Sequence, residues 1–427
     1  MDINTLKDKR IAILGYGREG KSLVRFFSSQ GIHVEVRDII PAIVPIAMRG
    51  EPLPGYLSGL EKFDIIFRSP GIPRLTPEIV SAEKKGVEVS SATKLFFDLC
   101  PGKIIGVTGT KGKGTTAILI YNILKADGKK VFLGGNIGKP ALDFIKEVTK
   151  DSHVILELSS FQLQDLHRSP HIAVVLDISV DHLDHHKTRA EYIEAKSNIL
   201  KYQSEYDMAF LDGDSKTVKK IAENIKAKKY WFGKFDKILD IKFTNLKLVG
   251  EHNIKNAKAA SLVAQIVGVK NEVIQKIVNE YQPREHRLEF VREKNGVKYY
   301  NDSASTISAS TMAAIRSFKE PTVLILGGSE KNLEYDDLAN FIIKYKIRGV
   351  VVMGDTGEKI KNLLRSKAYK GQLGAQAINM SDAVKKASNY SQSGFVVILS
   401  PASASFGLFK NFEDRGEQFK KAVRKLN

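Results

Sequence analysis

The sequence has one cysteine, one tryptophan and no long uninterrupted apolar run. With Cys100 alone, no disulfide can form within the chain, which is typical of proteins in a reducing compartment. No apolar stretch approaches the roughly 20 residues that a membrane-spanning helix needs. The segment MDINTLKDKR at the start mixes acids and bases, unlike a signal peptide. We therefore expect a soluble, cytoplasmic protein with no membrane partner.

Acidic residues are outnumbered: 48 Asp and Glu stand against 66 Lys and Arg, a formal net charge of +18. The lysines are scattered, with the densest stretch at residues 216–237, and no nucleic-acid-binding module accompanies them. We interpret the charge as solvated lysine faces that also attract small polyanionic substrates. No nucleic-acid partner is expected.

At 427 residues the chain is long enough for two or three domains, each with its own core. Strand patterns alternate with helical patterns almost throughout, which predicts parallel sheets covered by helices. Breaks near residues 90–102 and at Gln282-Pro283 indicate three α/β units. Ligands of such sheets bind beyond the carboxyl ends of the strands, so we expect the functional residues in those loops.

The most informative segment is IIGVTGTKGKGTTAILI, residues 104–120. A strand, a glycine-rich loop and a helix follow one another, which is the order of a phosphate-binding loop. Lys113 adds a mobile charge, and a hydroxyl of Thr115 or Thr116 could hold Mg²⁺. The general pattern G-x-x-x-x-G-K-[ST] is missed, because Val107 and Gly114 stand at its first Gly and its Ser/Thr. The segment is either a specialised nucleotide cradle or an ordinary glycine turn.

A second glycine pattern, GxGxxG at Gly15, Gly17 and Gly20, follows the first strand and precedes a helix. Asp38 lies about twenty residues further on, as in dinucleotide-binding sites. A phosphate or nucleotide-sugar site and a plain glycine turn are the alternative interpretations.

Acidic and imidazole side chains near the phosphate loop indicate a metal site. An otherwise apolar strand delivers Glu157, and a carboxylate there can hold Mg²⁺. The segment DHLDHH, residues 181–186, lacks the ligand spacing of a zinc site. In the next helix Lys196 shares an apolar stripe with Ile199, so its ammonium is expected to be buried, in a salt bridge or as a modified lysine.

Short hydroxyl side chains crowd two later segments, residues 301–310 and 399–412. With free backbone amides near a strand end, they suit carboxylate or phosphate binding. Capped helix starts are the alternative interpretation.

Taken together, these segments resemble the Mur ligases over the entire chain. The resemblance is carried by GYGREG, SPGIP (69–73), GTKGKGTT (109–116), GGNIGKPAL (134–142), ELSSFQL (157–163), DHLDHH (181–186), GEHNIKNAKAA (250–260), HRLE (286–289), NDSAST (301–306), GG-x-x-K ending at Lys331, and SPASASF-x-x-FKNF. It implies a three-domain α/β fold. The domains are a Rossmann-like UDP-substrate domain (1–93), a central P-loop-type mononucleotide-binding domain for ATP (94–282) and a Rossmann-like, amino-acid-binding C-terminal domain (283–427).

The resemblance also implies an activity, ATP-dependent amide formation through an acyl phosphate. The implied substrates are UDP-N-acetylmuramoyl-L-alanine and D-glutamate, joined during cytoplasmic synthesis of peptidoglycan precursors by a monomeric enzyme. Two Mg²⁺ ions and a carbamylated Lys196 are implied as well. The GxGxxG segment would then bind UDP rather than a dinucleotide.

The resemblance assigns roles to individual residues. Those implied to be catalytic are Lys113, Glu157, His182 and Lys196, and those implied to hold metal are Thr115, Glu157, His182 and Lys196. ATP would be bound by Gly109, Thr110, Lys111, Gly112, Lys113, Gly114, Thr115, Thr116, Asn253, Asn256, Arg287 and Asp302. The other substrates would contact Gly15, Tyr16, Gly17, Arg18, Asp38, Ser69, Asn136, Ser159, Gln162, Thr306, Lys331, Ser405 and Phe412.

Four positions depart from the family pattern: Lys111, Gly114, Ala304 and Gly407 replace Asn, a hydroxyl residue, Lys and Asp. They keep open a sibling ligase with another acceptor, such as L-glutamate, and a catalytically silent nucleotide-binding protein. A third alternative is an NAD(P)-dependent oxidoreductase that uses the GxGxxG loop. It would leave the phosphate loop at residues 109–116 unexplained.

Overall fold

The structure, a computed structural model, describes residues 3–48, 55–179, 188–233, 240–243, 250–330 and 333–426. Its contacts divide the chain into two compact units. One unit comprises Met1–Phe243 and Lys255–Val278, and the other comprises Thr244–Ile254 and Asn279–Asn427. Three sheets are present among the described residues, two in the first unit and one in the second.

The first sheet is parallel and four-stranded. In chain order its elements are β1 Ile11–Leu14, α1 Arg18–Ser29, β2 Glu35–Arg37, β3 Ile65–Arg68, α2 Pro77–Lys84, β4 Glu88–Ser90 and α3 Ala92–Leu99. The strand order is β2-β1-β3-β4. Helix α1 forms because its apolar residues recur at helical spacing, and that face, with Leu23 and Phe27, is buried.

The second sheet is parallel and six-stranded, in the order β10-β9-β8-β5-β7-β6. Its elements are β5 Lys103–Thr108, α4 Lys113–Ala126, β6 Val131–Gly135, β7 His153–Glu157, α5 Ser160–Leu163, β8 Ile172–Val175, α6 Arg189–Lys201, β9 Met208–Asp212, α7 Lys216–Ile221 and β10 Lys228–Phe232. The central strands β5, β7 and β8 are buried on both faces, so they read as continuous apolar runs.

The third sheet has one antiparallel edge strand on an otherwise parallel sheet, in the order β11-β12-β16-β13-β14-β15. The remaining elements are α8 Glu251–Ile266, α9 Asn271–Glu280, β11 Glu289–Lys294, β12 Val297–Asn301, α10 Ser308–Arg316, β13 Thr322–Leu326, α11 Asp336–Lys344, β14 Gly349–Val352, α12 Gly354–Ser366, β15 Gln372–Leu373, α13 Met380–Asn389, β16 Val396–Leu399 and α14 Phe412–Arg424. The α/β class with three sheets is confirmed, whereas the boundaries at residues 93 and 282 stay predictions.

One apolar core joins the first two sheets. Phe27 packs edge-on against Phe67 at 5.1 Å, and Phe96 packs against Phe144 at 5.8 Å between ring centroids. Leu95 and Phe96 are fully buried, so α3 contributes to the core as well as connecting the sheets. The two sheets therefore share one hydrophobic interior within the first unit.

Every sheet places its glycine- or serine-rich loops where the strand order reverses. In the first sheet these loops follow β1 and β3, in the second they follow β5 and β7, and in the third they follow β12, β13 and β16. Crevices form at such reversals, beyond the carboxyl ends of the strands. No helix in the described ranges is both long enough and apolar enough to cross a membrane.

Candidate active site

The glycine-rich loop after β5 leads directly into α4, whose N-cap is Gly112. Gly109 and Gly112 have φ of 149° and 85°, in the region that favours glycine. A Cβ on Gly112 would lie 2.2 Å from Oδ1 of Asn256, so the loop is also packed too tightly for a side chain there. The loop is therefore fixed in a shape that starts a helix, and the start of a helix suits an anion.

Lys113 lies at the first turn of α4 and folds back onto the loop. Its Nζ donates to the carbonyl oxygens of Gly109 at 3.1 Å and Thr110 at 3.0 Å. Thr115 is half-buried, whereas Thr116 is buried and its Oγ1 has no hydrogen-bond partner among the described residues. Lys111 is exposed on the loop. An ammonium and two hydroxyl side chains thus belong to the start of one helix.

Glu157 ends β7, beside β5, where it pairs with Val107 in register. The residue is 5% exposed, and Oε1 accepts from the Asn136 side-chain amide at 3.2 Å. Within the described part of the chain, the buried Oε2 has no hydrogen-bond partner. A buried carboxylate oxygen without a partner is costly unless a cation or a donor meets it. This donor set fits a hard divalent cation such as Mg²⁺.

Lys196 is 2% exposed on α6, as its place in the apolar stripe predicts. Its Nζ donates to the carbonyl oxygen of Gly109 at 3.0 Å and lies 4.8 Å from the centre of the Tyr192 ring. The Tyr192 hydroxyl is 3.1 Å from Oγ1 of Thr110. Helix α6 is thereby attached to the phosphate loop by two side chains. His182 lies outside the described residues, with the rest of DHLDHH.

Sequence reasoning missed a second acidic strand end, at β9. Asp212 is fully buried, and Lys255 Nζ donates to both of its carboxylate oxygens at 3.2 Å and pairs with Asp214 at 3.0 Å. Burial raises the pKa of Asp212 despite these contacts. Because Lys255 precedes Asn256 on α8, the ion pair holds Asn256 beside Gly112. The sequence does contain a signal for this acid. An apolar strand runs into DGD (212–214), just as one runs into ELSS (157–160).

The GxGxxG loop after β1 is closed by short contacts. Gly15 has φ of 91°, and its carbonyl accepts from the Ser69 hydroxyl at 3.1 Å. The amide of Tyr16 donates to Asp38 at 2.7 Å. Gly17 is the N-cap of α1, and Arg18 Nη2 donates to the carbonyl of Gly138, in the loop after β6, at 2.6 Å. The structure thus brings the predicted UDP-contacting residues of β1, β2 and β3 together.

Ser159 and Gln162 form a capping box at the start of α5. The Ser159 hydroxyl accepts from the amide of Gln162, and Gln162 Oε1 accepts from the amide of Ser159 at 3.0 Å. Gln162 Nε2 donates to Glu19 Oε1 at 2.6 Å. The side chain of Gln162, 2% exposed, is therefore engaged with protein at both ends, while Asn136 is exposed.

In the second unit, Asp302 is buried directly after β12. Its carboxylate accepts from the Ser400 hydroxyl at 2.7 Å and from the amide of Leu288 at 3.2 Å. Burial nevertheless raises the pKa of Asp302 to about 6. Exposed Arg287 lies between two residues with positive φ, His286 at 64° and Leu288 at 47°. The Asp302 contact thus fixes the turn that presents Arg287.

Arg415 connects the two serine-rich loops of the third sheet. It is fully buried on α14, donates to the hydroxyl and carbonyl of Ser303 at 2.9 Å, and donates to the carbonyls of Ser403 and Ala404. Burial lowers the pKa of Arg415 to about 10. Ser405 is buried next to this cluster in sequence. A fixed positive charge therefore underlies the SPASAS loop.

The other predicted acceptor residues lie on the same loops. Thr306 is half-buried after the NDSAS segment, and Phe412 begins α14 with its ring 6.1 Å from that of His286. Asn253 lies on the first turns of α8 in the second unit. Lys331 lies outside the described residues. The candidate residues are thus spread over two compact units, each with its own set of loops.

One cluster, of Glu285, His286 and Glu417, brings three side chains that can bind a metal together among the described residues. Lys420 Nζ already pairs with Glu285 at 3.1 Å and with Glu417 at 2.6 Å. An ammonium thus balances the acids, and this cluster is not a metal-site candidate.

The loops and buried charges are those of an α/β protein suited to binding a nucleotide phosphate, with its candidate loops at the strand-order reversals. Three family models match: Mur ligase MurD-like, N-terminal domain, at residues 9–91; Mur ligase middle domain at 107–264; and Mur ligase, glutamate ligase domain, at 286–403. The chain belongs to the Mur ligase family and is a ligase.

Relatives match over nearly the whole chain. A UDP-N-acetylmuramoylalanine–D-glutamate ligase from Acetivibrio thermocellus is 38% identical over 99% of this chain and 97% of its own. Another from Symbiobacterium thermophilum is 37% identical over 98% of both chains. The GxGxxG loop therefore lies in a Mur ligase N-terminal domain rather than in a dinucleotide-binding one.

Solved structures show the same fold at lower identity. The MurF ligase of Thermotoga maritima in complex with ADP superposes with a TM-score of 0.60, at 18% identity, over 98% of this chain and 96% of its own. UDP-N-acetylmuramate-alanine ligase MurC of Thermotoga maritima gives a TM-score of 0.59 at 17% identity, over 97% and 99%. The three-domain α/β architecture is thus the one that these ligases have.

Proposed function

We propose that the chain adds D-glutamate to UDP-N-acetylmuramoyl-L-alanine with hydrolysis of ATP to ADP and phosphate, in cytoplasmic synthesis of peptidoglycan precursors. The names of the relatives, which match from end to end, support this activity. The observation that carries the chemistry is the buried Oε2 of Glu157, which has no hydrogen-bond partner among the described residues and lies beside a glycine loop that begins a helix. The pairing is suited to an anionic phosphate and a cation together.

In the first step a carboxylate oxygen of the L-alanine end attacks the γ-phosphorus of ATP, the bond to ADP breaks, and an acyl phosphate forms. Two anions must approach, so positive charge is required at the transferring group. The amides at the start of α4 and the Lys113 ammonium supply it. The ammonium lies 3.1 Å from the carbonyl oxygen of Gly109 and 3.0 Å from that of Thr110, and a side-chain rotation would bring it to the phosphate.

Magnesium, when bound, neutralises phosphate charge and orients the transfer. Glu157, Thr115 and His182 would hold one ion. Lys196 would support a second ion. A buried ammonium is costly; once it has lost one proton, carbon dioxide would convert the neutral Lys196 amine into a carbamate with loss of a second proton. The carbamate would place a negative charge beside the carbonyl of Gly109, where the ammonium places a positive charge.

In the second step the amine of D-glutamate attacks the acyl carbonyl, phosphate leaves, and the nitrogen loses a proton. Thr306, Ser405 and Phe412, with Lys331, would bind this amino acid above the charge of Arg415. The remaining assignments are for ATP and the UDP substrate. Gly109–Thr116, Asn253, Asn256, Arg287 and Asp302 would bind ATP, while Gly15–Arg18, Asp38, Ser69, Asn136, Ser159 and Gln162 would bind the UDP substrate. The enzyme would act as a monomer.

Phosphate release tests the proposal, with ATP, UDP-N-acetylmuramoyl-L-alanine and either enantiomer of glutamate. We expect release that requires the UDP substrate and D-glutamate together. Equal turnover with and without an amino acid would contradict a ligase, and release with L-glutamate alone would identify a sibling specificity. Gly407 is exposed, has φ of 92°, and stands where many family members carry Asp. A change in specificity for the added amino acid is therefore expected to involve this position.

A further inference from the structure

A buried ion pair joins the first sheet to α5 of the second. Arg68 ends β3 and Asp165 follows α5, and their side chains are 0% and 1% exposed. Arg68 Nη2 donates to Asp165 Oδ2 at 2.6 Å and to the carbonyl of Phe161, within α5, at 2.9 Å. Its Nη1 donates to the carbonyl of Ile72 in the SPGIP loop. One guanidinium thus fixes a predicted UDP loop and α5 to each other.

A second buried contact reaches α5 from the GxGxxG loop. Glu19, in the first turn of α1, accepts through Oε1 from Gln162 Nε2 at 2.6 Å. Its Oε2 is buried without a hydrogen-bond partner among the described residues, and burial raises the pKa of Glu19. Both substrate loops of the first sheet therefore contact the short helix that carries Ser159 and Gln162.

Stability alone is a poor explanation for this arrangement. The hydration energy that a buried ion pair loses is about as large as the electrostatic attraction that it gains. Apolar residues of similar size therefore often stabilise a protein equally well. Arg25 and Asp143 join the same two sheets with a 2.7 Å pair that is 58% and 23% exposed, at far lower cost of desolvation. The directional donors of Arg68 supply something that packing does not, a fixed orientation of α5.

We propose that Arg68, Asp165 and Glu19 are positioning residues that set α5, with Ser159 and Gln162, against the UDP-binding loops for the UDP-linked substrate. This inference rests on the proposed function. The three side chains do not touch the reacting atoms; they keep Ser159 and Gln162 at the correct distance from the loops after β1 and β3. Their loss therefore weakens capture of the UDP-linked substrate and leaves ATP and the amino acid unaffected.

The test replaces the ion pair by apolar residues of similar size, Arg68→Met with Asp165→Leu, and separately makes Glu19→Met, which removes the acceptor of the Gln162 amide. We expect melting temperatures close to wild type, a KM for the UDP substrate raised about tenfold or more, and unchanged KM values for ATP and glutamate. Calorimetric binding of the UDP substrate without ATP should weaken by the same factor. Arg25→Met, across the same two sheets, is the matched control and should change none of these values.

A stable double variant whose KM for the UDP substrate is within twofold of wild type would overturn the inference, as would equal losses for all three substrates. If the double variant fails to fold, the isosteric Asp165→Asn gives the same comparison with the shape retained. Failure of the proposed function is a separate result, because the wild-type chain would then neither bind nor turn over the UDP substrate.

Discussion

The Cβ atom that Gly112 lacks would lie 2.2 Å from Oδ1 of Asn256, so the phosphate loop and α8 are in contact at the first turn of α4. Asn256 is held there by its neighbour Lys255, which pairs with Asp212 and Asp214. The shape of the loop thus depends on the acidic end of β9 and on a helix far away in sequence. A substitution at Gly112 therefore tests directly whether the contact with Asn256 determines the shape of the loop.

Gly112→Ala should lower both stability and ATP affinity, because the new methyl group meets Asn256 and φ is 85°. Gly128→Ala is the control, since Gly128 has φ of 78° at the other end of α4 and open space around its Cβ. The control should cost only about 1 kcal/mol and leave the KM for ATP unchanged. Thermal unfolding and ATP titration check both. Identical behaviour of the two variants would mean that the Asn256 contact is unimportant.

Glu157→Gln should keep the fold while lowering kcat on the order of 100-fold and raising the Mg²⁺ concentration needed for half-maximal rate. The amide retains the contact with Asn136 but removes the buried charge. Melting without Mg²⁺ should occur at the wild-type temperature or higher. Glu88→Gln, at an exposed carboxylate paired with Lys94, serves as the control. An unchanged magnesium dependence would argue against Glu157 as a ligand.

Lys196→Ala should lose activity, and added formate or bicarbonate should restore part of it, since a small anion can replace a carbamate. In the wild-type chain, labelled carbon dioxide should give a carbamate signal by carbon NMR that the variant lacks. Lys201→Ala, an exposed lysine on the same helix, should keep full activity. Full activity of Lys196→Ala without rescue would remove the carbamate from the mechanism.

Asp302 should make the chain less stable as the pH rises through about 6. Burial raises its pKa from 3.8 to about 6, so the folded state binds the proton more tightly than the unfolded state. The stabilisation is complete below about pH 4 and is lost through the folded pKa, an effect on the order of 3 kcal/mol. Urea unfolding of wild type and Asp302→Asn across this range measures it. Parallel curves for the two proteins would refute the assignment.

Arg415→Lys should destabilise the second unit by about 2 to 4 kcal/mol. One ammonium cannot replace a planar guanidinium that donates hydrogen bonds to Ser303, Ser403 and Ala404. Lys421→Met, at an exposed position of α14, is the control and should change stability by less than about 0.5 kcal/mol. Denaturant unfolding compares them. A loss no larger than that of the control would show that the loops are held by other contacts.

Local patterns were enough to predict much of the site. The glycine spacing predicted a loop that starts α4, the apolar run around Glu157 predicted a buried acid at a strand end, and the stripe on α6 predicted a buried Lys196. Each of these depends on residues within one or two turns or one strand. Period and composition carry that information directly.

Contacts between distant segments were beyond such patterns. Arg68 with Asp165 and Glu19 with Gln162 pair residues from different sheets, and nothing in either segment names its partner. Arg415 lies in FEDRGEQF, which reads as a solvated helix face, yet its side chain is fully buried. Which charge is buried depends on how the loops of the sheet meet, and that is decided by tertiary packing.

The outermost strands have a consequence for how copies of the chain behave towards each other. Among the described residues, four of the six outermost strands are short or basic: β2 and β4 are three residues long, β15 is two residues long, and β10 begins with Lys228 and Lys229. The other two, β6 and β11, have five and six residues. Short or positively charged strand edges offer little backbone for a neighbouring molecule to extend, and like charges repel. The two lysines of β10 thus act against edge-to-edge pairing of this strand between copies of the chain, independently of any substrate.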